Sequence, residues 1–299
     1  MRLGIDLGGT KTEAAVMNND GDMIWRYRIA TDKTSYSAVL NTIEFVTSLA
    51  RKETGHDGPV GMGIPGSISP ETGLVRGANT VLLNGQNLRA DCEARTGRSF
   101  RLENDANCFA LSEAIDGAAA GYETVFGVIL GTGCGGGIVT GGRLLTGANA
   151  IAGEWGHTPL PWPLAGEYEG HDCWCGQQGC VETFISGTAV GEDYAKRSGV
   201  AMPVDEMASR TGIDLVAESV LQVLEDRLGR ALAQIITILD PDAIVLGGGL
   251  SNLDRLYTNV PLKWPAFVFG RDVNTPLLKP LHGDSSGVRG AAWLWSDDA

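Results

Sequence analysis

The sequence predicts an α/β protein of two related lobes that close on a central ligand cleft, with a metal-stapled loop in the second lobe. Three observations carry this expectation. One supersecondary unit, an apolar strand running into a glycine turn and two further short strands, occurs twice, about 125 residues apart. Strand-like and helix-like apolar periods alternate between and after the two copies. A stretch dense in Gly, Pro, Trp, His and Cys, residues 153–182, follows the second copy and has little apolar period of its own. Such a segment seldom orders itself by burial, so a metal is a natural staple for it.

The first copy opens with Leu3-Gly4-Ile5-Asp6-Leu7, a short buried strand, and Gly8-Gly9 force a tight turn at its end. Glycines there expose backbone N–H groups without side-chain obstruction, as a polyphosphate requires. Thr10 adds a hydroxyl, Lys11 a positive charge, and Asp6 a carboxylate able to hold Mg²⁺ directly or through water. A plain Gly-Gly hairpin turn is the alternative reading of the same residues. Strands over 13–17 and 23–29, joined by a turn at 18–21, complete the unit.

Helical spacing follows in Tyr36, Val39, Leu40, Ile43, Val46 and Ala50, with Gly55 as the stop. A strand over 60–64 ends in Pro65-Gly66, and residues 67–85, rich in Gly, Asn, Ser and Thr, read as loop. A short helix over 88–95 closes at Gly97. A strand at Phe100-Arg101-Leu102 leads into a helix opened by Glu103-Asn104-Asp105-Ala106-Asn107, and residues 117–121 cross to the second lobe.

The second copy is the strand Thr124–Leu130, the glycine run Gly131-Thr132-Gly133-Cys134-Gly135-Gly136-Gly137, then Ile138-Val139-Thr140, a turn at Gly141-Gly142, and Arg143-Leu144-Leu145. Apolar positions 216, 220, 221, 224, 228, 232, 235 and 239 describe one long amphipathic helix over 214–239, ended by Asp240-Pro241. A strand over 243–246 runs into Gly247-Gly248-Gly249, and small apolar residues predict a last helix. The expected division is 1–117 for the first lobe, joined by the helix at 285–299, and 118–284 for the second.

Composition excludes several classes. Hydrophobic content of 43% and charged content of 20% are those of a globular protein, not a disordered chain. A net charge of -13 argues against a nucleic-acid partner. Met1-Arg2 leads into the first strand with no export signal, and no apolar run is long enough for a membrane span, so a cytoplasmic protein is expected. Six cysteines in such a chain read as thiols or metal ligands rather than a disulfide frame.

Three groups carry chemistry. Asp105 stands where a strand gives way to a helix, and the helix N-terminus favours its ionised form as a proton acceptor. Asn104 and Asn107 flank it with amides able to hold hydroxyls. A simple N-cap is the alternative for Asp105. His157, Cys173, Cys175 and Cys180 form a three-thiolate, one-imidazole set suited to a closed structural zinc site, with His171 as a competing ligand and free loop thiols as the alternative. Glu154 and Glu182 lie three residues before His157 and two after Cys180, so a metal there would gather both carboxylates into one region able to grip vicinal hydroxyls. Cys92, Cys108 and Cys134 read as packing residues.

The motifs Asp-Leu-Gly-Gly-Thr-Lys, Gly-Ile-Pro-Gly, Glu-Asn-Asp-Ala-Asn, Gly-Thr-Gly-Cys-Gly-Gly-Gly, Gly-Glu-Trp-Gly-His, Cys-Trp-Cys-Gly-Gln-Gln-Gly-Cys-Val-Glu and Leu-Gly-Gly-Gly-Leu-Ser occur in the order of the ROK family, which the chain resembles end to end. The resemblance implies an actin-like ATPase (ribonuclease H-like) fold and an ATP-dependent hexose kinase. Asp105 would be the general base on the sugar 6-hydroxyl, with Asn79, Asn104, Glu154, His157 and Glu182 holding the ring. Gly4 to Lys11 and Gly131 to Ile138 would serve ATP and its Mg²⁺, with Gly248 and Gly249 near the adenosine. His157 would use one ring nitrogen for zinc and keep the other for sugar. The last helix would pack back on the first lobe, and a homodimer is implied.

Within the family the likeness is placed with bacterial fructokinases, on residues 63–73, 154–162 and 282–295, which implies fructose, and mannose, as substrates. N-acetyl-D-glucosamine kinases and glucokinases of the family are the alternatives. A sugar-responsive repressor is disfavoured because Asp6 leaves no room for an N-terminal helix-turn-helix. An actin-like structural or chaperone ATPase is disfavoured because it has no use for the zinc loop and its two glutamates.

Overall fold

The structure is a computed structural model that describes residues 1–296. The first sheet takes β1 (Arg2–Leu7), β2 (Lys11–Met17), β3 (Met23–Ala30), β4 (Val60–Ile64) and, after the ribbon of β5 (Ser67–Ile68) and β6 (Val75–Arg76), β7 (Phe100–Asn104), in the order β3-β2-β1-β4-β7. The second takes β8 (Thr124–Leu130), β9 (Cys134–Thr140), β10 (Arg143–Leu144), β11 (Ala243–Gly247) and β12 (Leu277–Leu278), in the order β10-β9-β8-β11-β12. Each sheet has three antiparallel strands continued by two parallel ones. The repeat expected from the two glycine hairpins therefore extends to the whole strand order of both sheets.

The helices are α1 (Tyr36–Thr54), α2 (Leu88–Thr96), α3 (Asp105–Ile115), α4 (Glu182–Ile185), α5 (Gly187–Ser198), α6 (Val204–Ser209), α7 (Leu215–Leu239), α8 (Asp254–Asn259) and α9 (Ser286–Trp293). Helix α1 starts where Ser35 Oγ accepts the Ala38 N–H at 3.1 Å and stops at Gly55, whose φ of 74° ends the helix without a Cβ penalty. In α7, Asp214 caps the start and Leu221, Leu224, Leu228 and Leu232 are buried. Each such leucine contributes roughly 1.5–3 kcal/mol as an upper bound. No helix among the described residues is long and apolar enough to cross a membrane.

Alternation along the strands sorts side chains into three cores. Leu3, Ile5, Val60 and Met62 face α1, while Phe126, Val128, Ile244 and Leu246 face α7. Between the sheets lie α3 and α9, packed on Met17, Val125, Val139 and Val245. That middle layer brings backbones close. A Cβ at Gly61 would stand 1.7 Å from the Ala291 carbonyl oxygen, and one at Gly4 2.1 Å from that of Val288. The last helix thus packs on β1 and β4. Residues 297–299 of the predicted helix lie outside the described chain.

Two expectations need correction. Residues 67–85 are not all loop: Ser67 pairs with Arg76 and Ile68 with Val75, which buries Val75, and a 3-10 turn follows at Val81–Leu83. The glycine run of the second unit is not all turn either, because β9 begins at Cys134.

Candidate active site

Asp105 is the first residue of α3, and its neighbour is the cap. The Asn104 side-chain oxygen accepts the Ala106 N–H at 2.9 Å, while its Nδ2 donates to the Gly66 carbonyl at 3.0 Å. Asp105 Oδ1 shares that N–H at 2.8 Å, and the side chain opens to solvent on one side. Packed protein surrounds its other sides, so burial pushes the carboxyl above the usual range, with Glu154 pushing the same way and the Ala106 N–H pulling back. Asp6 feels burial first and Asp105 next, and stands at about 7. Carboxylates from β1, from α3 and from the segment after β10 therefore lie near enough to feel one another's charge, Asp6 with Asp105 and Asp105 with Glu154.

The first glycine turn is braced from behind. Gly8 N–H donates to Lys11 O at 3.0 Å, and the Thr31 hydroxyl to Gly8 O at 2.8 Å. Gly9, Thr10, Lys33 and Asn79 line an open concavity of about 620 Å³. Asn79 therefore stands with the glycine turn, whereas Asn104, Asn107 and Glu154 share a different, smaller cavity. Gly4 and Ile5, expected to serve the nucleotide, lie inside β1 with strands paired on both sides. The glycine at position 4 makes room for α9.

The second turn is Gly131-Thr132-Gly133, closed by Gly131 N–H to Gly133 O at 3.0 Å. Helix α5 holds it from outside: Gly187 N–H donates to Gly131 O at 2.7 Å, and Thr188 Oγ1 to Thr132 O at 2.9 Å. A concavity of about 720 Å³ adjoins it, lined by Gly131, Thr132, Gly187, Thr188 and Gly249 among others. Gly248, with φ of 77°, stacks its backbone on Leu130 beside that opening. Gly135, Gly136, Gly137 and Ile138 lie in β9, where their glycines answer to packing. Cβ atoms at 135 and 137 would meet α3 at Ala106 and Ala110, and one at 136 would stand 2.7 Å from Gly153 O and the Trp155 ring. The glycine run sets α3, with Asp105, and the chain before Glu154 against one strand.

Glu182 opens α4 and bridges two loops. Its Oε2 accepts the Cys134 N–H at 2.8 Å and its Oε1 the Trp174 indole N–H at 2.7 Å. The ligand atoms of His157, Cys173, Cys175 and Cys180 lie within 4.8 Å of one another. Cys175 and Cys180 sulfurs are 3.6 Å apart, and Cys173 Sγ is 3.5 Å from His157 Nδ1. Tetrahedral zinc with bonds of about 2.0–2.3 Å sets its ligand atoms roughly 3.5–3.8 Å apart, so the set fits such an ion. Nδ1 faces the sulfurs, which leaves Nε2 for other use. His171 instead packs its ring against Phe184 at 5.2 Å and is not in the group.

Sequence reasoning missed Trp174, Arg230 and the start of α5. The tryptophan inside Cys-Trp-Cys and the helix-opening Ser186-Gly187-Thr188 were visible signals. Arg230 is 1% exposed and donates to both oxygens of Glu167, to Asp226 and to the carbonyls of Pro161 and Trp162, tying the metal-loop segment to α7. Nothing in the helical spacing marks a charged residue as buried there.

Two sheets of one strand order, each with a glycine turn after its first strand, place the chain in the actin-like ATPase fold, to which sugar kinases belong. The chain belongs to the ROK family, which it matches over residues 2–298. It is 41% identical over 302 residues to the N-acetyl-D-glucosamine kinase of Pasteurella multocida (strain Pm70), covering 99% of each chain. It is 39% identical over 304 residues to that of Salmonella gallinarum (strain 287/91 / NCTC 13346), covering all of both. Among solved structures it is similar to the ROK hexokinase of Thermus thermophilus, with a TM-score of 0.86, 31% identity, and 98% and 96% of the two chains covered. A ROK glucokinase of Streptomyces griseus, solved with glucose and AMPPNP, gives a TM-score of 0.82 at 28% identity over 98% of each chain. These relatives correct the expected placement with fructokinases. The segments taken for it, 63–73, 154–162 and 282–295, are mostly glycine-turn, loop and helix-packing residues, and these do not tell one sugar kinase of the family from another.

Proposed function

We propose that the protein transfers the γ-phosphoryl group of ATP to the 6-hydroxyl of N-acetyl-D-glucosamine, giving N-acetyl-D-glucosamine 6-phosphate and ADP. The observation that carries this reading is identity of 38–41% over nearly the whole chain to several proteins bearing that name. The cleft geometry supports it. Asp105 accepts the 6-hydroxyl proton while that oxygen bonds to the γ-phosphorus and the bond from phosphorus to the ADP oxygen breaks. Burial raises its proton affinity, which favours acceptance of the proton. Asn104, Glu154, His157 Nε2 and Glu182 hold the ring, and Asn79 contributes from the wall beside the first turn.

The backbone at Gly8 to Lys11 and Gly131 to Cys134 receives the phosphates, and Gly248 and Gly249 flank the nucleoside. Asp6 would hold Mg²⁺ or its waters, and the ion would supply neutralisation of the charge on the transferring oxygens. Zinc on His157, Cys173, Cys175 and Cys180 is structural. The lobes divide near residue 117, and the working form is a homodimer. An ADP-release assay with Mg-ATP and N-acetyl-D-glucosamine, N-acetylmannosamine, glucose, mannose and fructose tests the reading. N-acetyl-D-glucosamine should have the highest kcat/KM, and a tenfold lead for any other sugar overturns it.

A further inference from the structure

Beside Asn104 and Glu154 the two lobes enclose a cavity of about 50 Å³. The first lobe supplies Ser67, Ile68, Leu102 and Asn107, and the second supplies Thr146, Ala150 and Ala152. Arg76 spans the gap, with Nε donating to Ser67 Oγ at 3.3 Å and Nη2 to the carbonyl of Asn149. The space is far too small for a sugar ring, yet it exceeds what one water needs.

Its polar groups are unevenly used. Asn107 is 8% exposed; its Nδ2 donates to Glu103 Oε2 at 3.0 Å, while its Oδ1 is buried with no hydrogen-bond partner. A buried acceptor left unpaired is costly, so each one calls for an explanation. Ser67 Oγ accepts from Arg76, which leaves its own proton free to donate. Ile68, Leu102, Ala150 and Ala152 supply the apolar part of the wall, and Glu103 and Thr146 add polar groups to it. One missing donor, one spare donor and an apolar pocket for about a methyl group are together the complement of a secondary acetamide: N–H, C=O and CH₃.

We propose that this cavity seats the 2-acetamido group of the sugar, with Asn107 Oδ1 accepting its N–H, Ser67 donating to its carbonyl, and Ile68, Leu102 and Ala152 around the methyl. The assignment rests on the N-acetyl-D-glucosamine reading and names the residues that make the choice. A glucose 2-hydroxyl leaves the apolar part empty. A longer acyl chain does not fit an enclosed volume of this size.

The test measures kcat/KM of the wild-type protein for glucose, N-acetyl-D-glucosamine and N-butanoyl-D-glucosamine, then repeats it with Ala152→Leu. One methylene in a closed pocket is worth about 10–200-fold. N-acetyl-D-glucosamine should exceed the butanoyl sugar by at least about tenfold, and Ala152→Leu should lower its kcat/KM relative to glucose by a similar factor. If the wild type prefers glucose to N-acetyl-D-glucosamine, the functional reading fails and the cavity assignment with it. If it prefers the acetyl sugar yet takes the butanoyl one equally well, the function stands and the cavity assignment is overturned. An Ala152→Leu protein that loses both sugars in equal proportion overturns it too. The acyl series uses the unaltered protein, so it decides the matter even if the variant folds poorly.

Discussion

The indole N–H of Trp174 donates to Glu182 Oε1 at 2.7 Å, and the other oxygen of that carboxylate accepts the backbone N–H of Cys134 at 2.8 Å. One side chain thereby joins the metal loop to the second glycine turn. The Trp174 ring also meets the His157 imidazole edge-on, with centroids 4.9 Å apart. Trp174 is 68% exposed, so burial does not account for a tryptophan there. It stands between Cys173 and Cys175 of the candidate metal group, which makes the bond to Glu182 sensitive to the state of that loop.

Trp174→Phe keeps a ring against His157 and removes the donor to Glu182. Hydrogen bonds to charged groups contribute about 1.5–3 kcal/mol, and exposure favours the lower end. Sugar KM should rise about tenfold, with bound metal unchanged. Steady-state kinetics with the sugar varied at saturating ATP reads the effect, and an unaltered sugar KM would show that Glu182 needs no support from the loop.

Asp105→Asn should lower kcat by at least roughly 10²-fold, the usual range for a positioned base. Thermal stability should not fall with it. Asn104, not Asp105, caps α3, and the substitution removes a carboxylate whose charge burial disfavours. A stable variant of near-normal kcat would remove Asp105 from the chemistry and turn attention to Glu154 and Glu182.

The direction of the Asp105 shift also sets a pH dependence. The base works ionised, so kcat/KM should fall as pH drops through its raised pKa, at a midpoint above the ordinary aspartate value of about 3.9. Its effect on folding has the opposite sense. A carboxyl with a raised folded-state pKa contributes stability that is present below the unfolded value and lost as pH rises through the folded one. Asp105→Asn should therefore gain melting temperature relative to wild type above that pH and not at pH 3. A gain independent of pH would mean that charge is not the cause.

Elemental analysis should find one zinc per chain. Because metal binding is folding energy for the segment it staples, chelation should expose residues 153–182 to protease and raise sugar KM through His157 and Glu182. Full activity in protein stripped of metal would refute the structural role.

Arg230→Met should destabilise the fold by about 3 kcal/mol, the low end for breaking a buried ion pair, since Arg227 Nε still reaches Glu167 Oε1 at 2.8 Å. Denaturant melts measure this directly, and a change under about 0.5 kcal/mol would mark the network as energetically idle.

Much of this architecture is legible in local pattern. The α7 stripe and the stop at Gly55 are rules of neighbouring residues, and the structure follows them. The four candidate metal ligands are equally readable in residue type, and the structure brings their ligand atoms within 4.8 Å of one another. What local pattern cannot carry is which neighbour demands a glycine. Gly4 and Gly135 to Gly137 read as phosphate contacts, yet their partners are α9, α3 and Trp155, brought in from far along the chain. Sugar choice escapes for the same reason. Ser67, Asn107 and Ala152 come from three separate segments, and none belongs to a motif that speaks of acetamides.

Helix α9 covers Gly4 and Gly61, two of the earliest strands, from positions 286–293. During ribosomal synthesis the first sheet must therefore wait, one face bare, until nearly the whole chain has been made. Contacts of such long sequence separation slow folding and leave apolar surface open to strangers in the meantime. A nascent chain stalled before residue 286 should accordingly recruit chaperones at its N-terminal sheet, while its second sheet, with α7 already in hand, is ready to close.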